Sequence, residues 1–471
     1  MKNLERLGHG DVGQLLKEFS VPAVIGTVVN ALYNVVDQLY IGQGCGRDAL
    51  AGVALAFPFM AILIAFGTLI GVGSGALLSI KLGERNRVDA EKVLGQCVAV
   101  KVLFGCTLPF LGLSFMDDLL PLFGGTPEAI PYARKFLGIV LFGNVFAHLS
   151  FGLSNLMRAE GNVRCSMRCM VLGALLNALL DPIFIFGLHL GVAGAAWSTN
   201  IAMFCSAVYA FHHYLSRNSV VRLRLGRIRI YPRMLMRVFA IGLSPFAIQL
   251  MAGTVNVAFN RTFLKWAAST QAATVEIAAL GIANSVLFLL LMPVFGLTQG
   301  MQPIAGYNYG ARQYQRVREA YTLCLKIALS LCFLISATVL LFAWPIAHCF
   351  TRDPALLDAG TRGLRIFCSA FTVVALPIVT VTFFQAIGRP ALGIALSTLR
   401  QLGMQLPLVV LLPHVWGIGG VWAAVPAADL LSASLAAIAA AAELRRLRRA
   451  EAEKNKSDKN KIGIDAAPAI P

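Results

Sequence analysis

Acidic residues are scarce in this chain, with 23 aspartates and glutamates among 471 residues, and only 13% of the whole is charged. Hydrophobic residues make up 57%, and the mean hydropathy is +0.72. A soluble fold of this length would need far more polar surface, so that class is excluded. Paired cysteines are missing too. The ten cysteines stand singly, and the nearest two, Cys165 and Cys169, have no histidine beside them in the sequence. They read as small buried hydrophobes and not as a metal or disulfide framework. The first apolar segment follows mixed charges and has no small-residue cleavage site, so it is read as a retained span.

What is present is a series of apolar stretches of roughly 20 residues, the length a helix needs to cross about 30 Å of hydrocarbon. The sequence predicts an all-α integral membrane protein with twelve transmembrane helices. They are placed near 18–41, 49–80, 93–115, 133–157, 165–186, 193–215, 236–264, 277–305, 318–346, 361–386, 392–413 and 419–442. With the N-terminus inside, the inner connections carry about 29 Lys and Arg and the outer ones about 8, so both termini are expected to be cytoplasmic. The net charge of +17 sits mostly in 81–92, 217–237 and 443–461. No base-stacking motif accompanies these runs, so they are read as topology and lipid-headgroup determinants and not as a nucleic-acid site.

Short segments recur at a near-constant offset. "IKLGERN" (80–86) answers "YNYGARQ" (307–313), "AEGN" (159–162) answers "AIGR" (386–389), and "GVAG" (191–194) answers "GIGG" (417–420). Their order and spacing predict a duplication. Six spans per half is an even number, so the halves enter the membrane in the same sense, as two parallel-repeat six-helix bundles. The expected organisation is an N-terminal lobe (1–216), a cytoplasmic basic linker (217–237), a C-terminal lobe (238–442) and a basic, disordered cytoplasmic tail (443–471).

Two carboxylates stand inside these spans in the first half. Asp37 of "NALYNVVDQLYIG" (30–42) lies about two turns below the outer surface, and Asp181 of "NALLDPIFIFG" (177–187) lies at a similar depth. Asn177 is one turn from Asp181 on the same face. Thr199 and Asn200 of "WSTN" (197–200) return to that level from the sixth span, and Tyr33 is one turn below Asp37. Isolated intramembrane charges cost several kcal/mol, and such residues usually mark ion or proton pathways. Two carboxylates close together in low dielectric cannot both stay charged, so a pair can take up and release one proton. Carboxylate, amide and hydroxyl oxygens also suit Na⁺. The residues leave H⁺ and Na⁺ both open. In the second half, Gln249, Asn256, Asn260 and Gln302 are candidate neutral contacts to substrate, and Asp429 is the one deep acid that remains.

The chain resembles the multidrug and toxic compound extrusion (MATE) family of secondary transporters over roughly residues 10 to 445. The resemblance rests on "VPAVIGTVVNALYNVVDQLYIG" (21–42), "LMRAEGN" (156–162), "NALLDPIFIFGLHLGVAGAAWST" (177–199) and "GLTQGMQPIAGYNYGARQYQRVREA" (296–320). It implies a twelve-helix, two-lobed exporter with no cofactor, driven by H⁺ or Na⁺. The family's first-lobe cation site falls on Asp37, Asn177, Asp181 and Thr199, and the first-helix proline thought to bend during coupling falls on Pro22. The second-lobe acids of one branch of the family are absent here, as "LSPFAIQLMAG" (243–253) and "FCSAFTVVALPIVTVTFF" (367–384) show. The pattern resembles the branch of bacterial exporters with first-lobe coupling. A multi-pass protein of the bacterial inner membrane is expected, monomeric, with small amphipathic and often cationic organic substrates and with membrane lipids around it.

Two other readings compete. A flippase for a lipid-linked precursor would need deep cations for phosphate. These are sparse, and Lys101, Lys326 and Arg400 are expected near helix ends. An intramembrane aspartyl protease would also use two aspartates, but "LLDP" lacks the glycine-flanked motif of such enzymes. The protein is therefore not expected to be an enzyme.

Overall fold

The computed structural model describes residues 2–122, 128–216 and 219–465. Among these residues it contains helices and no strand. The helices are α1 (Lys2–His9), α2 (Val12–Cys45), α3 (Arg47–Gly83), α4 (Arg87–Leu122), α5 (Ile130–Ala159), α6 (Val163–Pro182), α7 (Val192–Leu215) and α8 (Pro232–Trp266). They continue with α9 (Thr270–Gly310), α10 (Tyr314–His348), α11 (Pro354–Cys368), α12 (Phe371–Ala386), α13 (Pro390–Thr398), α14 (Leu406–Leu411), α15 (Pro413–Trp416) and α16 (Ile418–Asp465). A π-helical turn, Ile183–Gly187, follows α6, and a second, Leu399–Gln405, joins α13 to α14.

Every expected span falls on helix. Among the described residues, ten helices or helix runs are long and apolar enough to cross a membrane. The pair α11 and α12, bent by 55°, makes an eleventh if counted as one span. The expected span at 193–215 is helical as α7 but does not reach that apolar threshold, because Trp197, Ser198, Thr199 and Asn200 interrupt its hydrophobic run. Ser198 and Thr199, two of these residues, face the candidate site.

The repeated segments adopt the same unusual backbone. Arg85 and Arg312 have φ of +58° and +56°, a region non-glycine residues seldom enter. Gly161 and Gly388 pair at +91° and +69°, and Gly191 and Gly417 at +59° and +55°. The contact between α3 and α9 is reciprocal: a Cβ on Gly83 would lie 1.9 Å from the Tyr307 carbonyl oxygen, and one on Gly310 would lie 2.2 Å from that of Ile80.

The two halves of the chain meet closely at the ends carrying the basic connections. Glycines let the backbones touch. A Cβ on Gly242 of α8 would come within 1.8 Å of the Leu69 carbonyl oxygen of α3, and one on Gly73 within 2.1 Å of that of Val238. On the other seam, Gly296 and Gly300 of α9 face Val24 and Ser20 of α2. Thr27 donates to the Met292 carbonyl at 3.0 Å, and Arg158 donates to Gln299. The largest hydrophobic core runs through both halves. A second core, which includes Ile41, Phe59, Leu137 and Ile185, draws only on the first half.

The basic linker and tail are held more firmly than their composition implies. Glu91 of α4, almost fully buried, receives Arg224 at 3.2 Å and also Arg227, and the Tyr231 N–H donates to Gln96 at 3.1 Å. Residues 217 and 218 of the linker lie outside the described residues. Disorder was expected from residue 443, but α16 continues unbroken to Asp465. Its extension is anchored by Arg389–Glu443 at 2.8 Å, Arg318–Glu451 at 2.5 Å and a Lys454 bond to the Arg312 carbonyl at 3.2 Å. These partners come from distant helices, so composition alone hides them. Residues 466–471 lie outside the described residues.

Candidate functional site

Three elements converge at the π-turn. Gly44, at the end of α2, packs so closely that an added Cβ would sit 2.4 Å from Ile185, and Tyr40 meets Phe186 edge-on at 6.2 Å. Gly194, at the start of α7, leaves room for the Phe184 backbone, which a Cβ would approach to 2.8 Å. The turn therefore joins α2, α6 and α7 just beyond Asp181. Short π-segments are often found beside functional groups.

Asp181 and Asn177 are both fully buried on one face of α6. The Asn177 Nδ2 donates towards Asp181 Oδ1 at 3.3 Å, Ser198 Oγ at 3.3 Å and Thr199 Oγ1 at 3.2 Å. Ser198 donates to Asp181 Oδ1 in turn. Asp37 of α2 lies in the electrostatic neighbourhood of Asp181, and Tyr33, one turn away, lies in that of both acids. Three buried oxygens here, Asp37 Oδ1, Asn177 Oδ1 and Asp181 Oδ2, have no donor. Such orphaned acceptors are costly unless a donor or cation reaches them. A proton or a small hard cation fits this set of oxygens.

The structure thus brings together Asp37, Asn177, Asp181 and Thr199, with Tyr33 beside them. Ser198 is a site residue that the sequence reading missed. It stands next to Thr199 in "WSTN", and its only sequence signal is a polar side chain in a helix that needs apolar ones. A hydrogen bond to a charged acceptor is worth about 1.5–3 kcal/mol. We expect Ser198→Ala to lower gradient-driven transport about tenfold while the protein remains folded, measured as initial flux in proteoliposomes. Wild-type flux would remove Ser198 from the site.

Other candidates lie elsewhere. Asn200 turns away and donates to the Ile139 carbonyl of α5 at 2.5 Å, where Gly143 makes room for it. It is one residue beyond Thr199 and so about 100° further round the helix. Pro22 is buried in α2, one turn or less from the contacts of Ser20 and Val24 with α9, and it removes the N–H that would bond the Glu18 carbonyl. Gln249, Asn256 and Asn260 share one face of α8 by their spacing. Asn256 is exposed and accepts from Asn284 at 3.5 Å. Gln302 lies on α9 with its Nε2 buried and unpartnered. Among the described residues, none of these four bonds to the Asp37–Asp181 pair.

Two expectations need correction. Lys101, Lys326 and Arg400 are not near helix ends, and Lys326 lies about three turns inside α10. Lys101 is fully buried within α4 and donates to the Gly67 carbonyl at 2.6 Å. Arg400 lies in the second π-turn, inside the run Pro390–Trp416, and holds Asp429 Oδ1 through Nε at 3.0 Å and Nη2 at 2.7 Å. Asp429 is therefore neutralised by a fixed cation instead of being open to substrate. Asp429→Ala would leave Arg400 partly buried and unpaired. We expect it to cost about 1–3 kcal/mol, less than for a fully buried pair because Arg400 is 29% exposed. A fall in melting temperature without a change in ion coupling checks this.

The helical membrane fold and the buried acid pair define a polytopic helical membrane protein with a polar site between three helices. The MatE family model matches residues 22–183 and again 238–411. The chain therefore belongs to this family, the multidrug and toxic compound extrusion family that its motifs resemble. It is 24% identical over 429 residues to "Multidrug export protein MepA" of Staphylococcus haemolyticus (strain JCSC1435), covering 91% of this chain and 93% of that protein. The fold is similar to that in "Outward-facing conformation of a multidrug resistance MATE family transporter of the MOP superfamily", with a TM-score of 0.89 and 25% identity over 95% of this chain and 99% of the other. It is equally similar to "Crystal structure of MATE in the bent conformation", at TM-score 0.89 and 25% identity over 96% and 99%.

Proposed function

We propose that the protein is a cation-coupled exporter of amphipathic, often cationic organic compounds in a bacterial inner membrane. It would work by alternating access between two six-helix lobes, 1–216 and 238–442, with α7 as the sixth of twelve spans. The observation that carries this reading is the set of donor-less oxygens on Asp37, Asn177 and Asp181. An incoming proton or Na⁺ neutralises the pair, while Ser198 fixes Asp181 through Oδ1 and Thr199 accepts from the Asn177 amide, which orients the oxygens left without a donor.

The contacts of the two halves support the second element of the mechanism. The seams α2–α9 and α3–α8 close the ends bearing the basic connections, which this reading places in the cytoplasm. Cation binding on α2 and α6 acts on one side of those seams. Pro22 lies in the stretch of α2 that forms one of them, so bending there would loosen the contact with α9. The similarity of the chain to the export relative MepA and of its fold to the MATE structures supports this reading.

The test is efflux of a fluorescent lipophilic cation from proteoliposomes holding the purified chain, with ΔpH and Na⁺ gradients imposed separately. Gradient-dependent efflux by one of the two ions is the expected result. Movement of the dye that ignores both gradients would overturn coupling. Scrambling of a labelled anionic lipid, with no dye efflux, would favour the flippase. Among the described residues the deep cations Lys101, Arg158 and Arg400 already have partners, which disfavours that outcome.

A further inference from the structure

A cleft of about 470 Å³ opens between the first turns of α10 and the extension of α16. Arg318, Lys326 and Arg448 line it, with Glu319 as the one acidic residue among the lining side chains. Arg318 reaches Glu451 through Nη2 at 2.5 Å, yet its Nε is buried and has no partner. Lys326 and Arg448 form no salt bridge among the described residues, and both are exposed. Thr322 lies between Arg318 and Lys326 on the same face of α10, one turn from each. Glu451 pairs with Arg318 and Glu319 adds a second carboxylate, yet with Lys326 and Arg448 the cleft keeps a net positive charge that attracts an anion.

The surface beneath the cleft is apolar. Seven and eight residues beyond Lys326, on its face of α10, Phe333 and Leu334 are 61% and 65% exposed. Leu430, five turns before Arg448 on α16, is 52% exposed. Leu323 and Leu444 form the floor where the charged rim meets this surface. Cations beside exposed apolar side chains suit a membrane lipid, with phosphate in the cleft and acyl chains along the helices. Basic pockets between transmembrane helices bind anionic headgroups in this way.

We infer that this cleft is a binding site for one anionic glycerophospholipid of the adjacent leaflet, held by Arg318, Lys326 and Arg448 through its phosphate. The lipid bridges α10 to the helical extension of α16, reinforcing the link that Arg318–Glu451 makes. The inference concerns binding alone and stands apart from the transport reading.

The test is native mass spectrometry of the full chain in detergent, titrated with phosphatidylglycerol or phosphatidylcholine. Compared with wild type are the double variant Lys326→Gln/Arg448→Gln and a control, Arg445→Gln/Arg449→Gln, which removes equal charge from α16 at positions that do not line the cleft. All four side chains are exposed, so the variants are expected to fold. The expected result is one tightly held phosphatidylglycerol, weakened about tenfold in the cleft variant and less than twofold in the control, with little phosphatidylcholine bound. Equal binding in the cleft variant and wild type would overturn the site. Equal loss in both double variants would show general charge attraction and overturn it as well. Release of the lipid by millimolar inorganic phosphate would assign the cleft to a soluble phosphate compound instead.

Discussion

Asp37→Asn and Asp181→Asn should each reduce gradient-driven efflux by about tenfold to a hundredfold, the range of typical coupling free energies between sites. Each change keeps the size and shape of the side chain but leaves a group that no longer gains or loses charge. The Ser198 hydroxyl can still donate to an amide oxygen at position 181, so the local packing of α6 on α7 should persist. Asp37 Oδ1 and Asp181 Oδ2 both lack a donor, and the two acids are expected to act as one unit. The double variant should then be no worse than either single one, since residues in one network are strongly non-additive. Initial rates under imposed ΔpH or Na⁺ gradients, for the four proteins side by side, measure this. Additive losses would mean that the acids serve separate steps. Coupling at the wild-type level in both single variants would remove the pair from the mechanism.

Gly242→Ala should have the second largest effect, on the equilibrium between conformations. The added methyl would lie 1.8 Å from the Leu69 carbonyl oxygen and 2.6 Å from its carbon. These are backbone atoms in the middle of α3 and cannot rotate aside as a side chain would. Either the α3–α8 seam separates or the helices shift along their length. Overpacking of this kind costs about 1–3 kcal/mol, enough to displace a balanced two-state equilibrium by about tenfold. Spin labels at Glu84 and Gln315, at the basic ends of the two halves, should report longer distances in the variant. Substrate efflux should fall even though no group of the acid pair has changed. An unaltered distance distribution would show that the seam does not limit the closed state.

Much of this architecture was legible in the sequence because its signals are local. Apolar length located the twelve expected spans, all of which fall on helix, and the paired motifs "IKLGERN" and "YNYGARQ" marked turns whose arginines share a positive φ. Asn177 and Asp181 were readable as neighbours from their four-residue spacing alone. What stayed hidden depends on contacts between distant segments. Arg400 and Asp429 are 29 positions apart, and only packing makes them a pair. The helical tail composes like a solvated segment, and its order comes from Glu443 and Glu451 meeting arginines of α10 and the α12–α13 turn. Ser198 and Asn200 flank Thr199 and looked alike in the sequence, but one faces Asp181 and the other α5. Depth could be counted from the sequence, whereas direction round the helix needed a neighbour to define it.

The π-turn at Ile183–Gly187 carries a consequence for how the chain tolerates length change. A π-helical turn holds one residue more than an α-helical turn, so the segment after Asp181 contains slack of a single residue. Deleting one residue there would let the turn relax to ordinary α-helix while α7 stays fixed by its own packing on α5. Inserting one would have nowhere to go, because Gly44 and Gly194 already bring α2 and α7 against the turn. The junction of the three helices is thus asymmetric towards indels, able to lose a residue but unable to gain one.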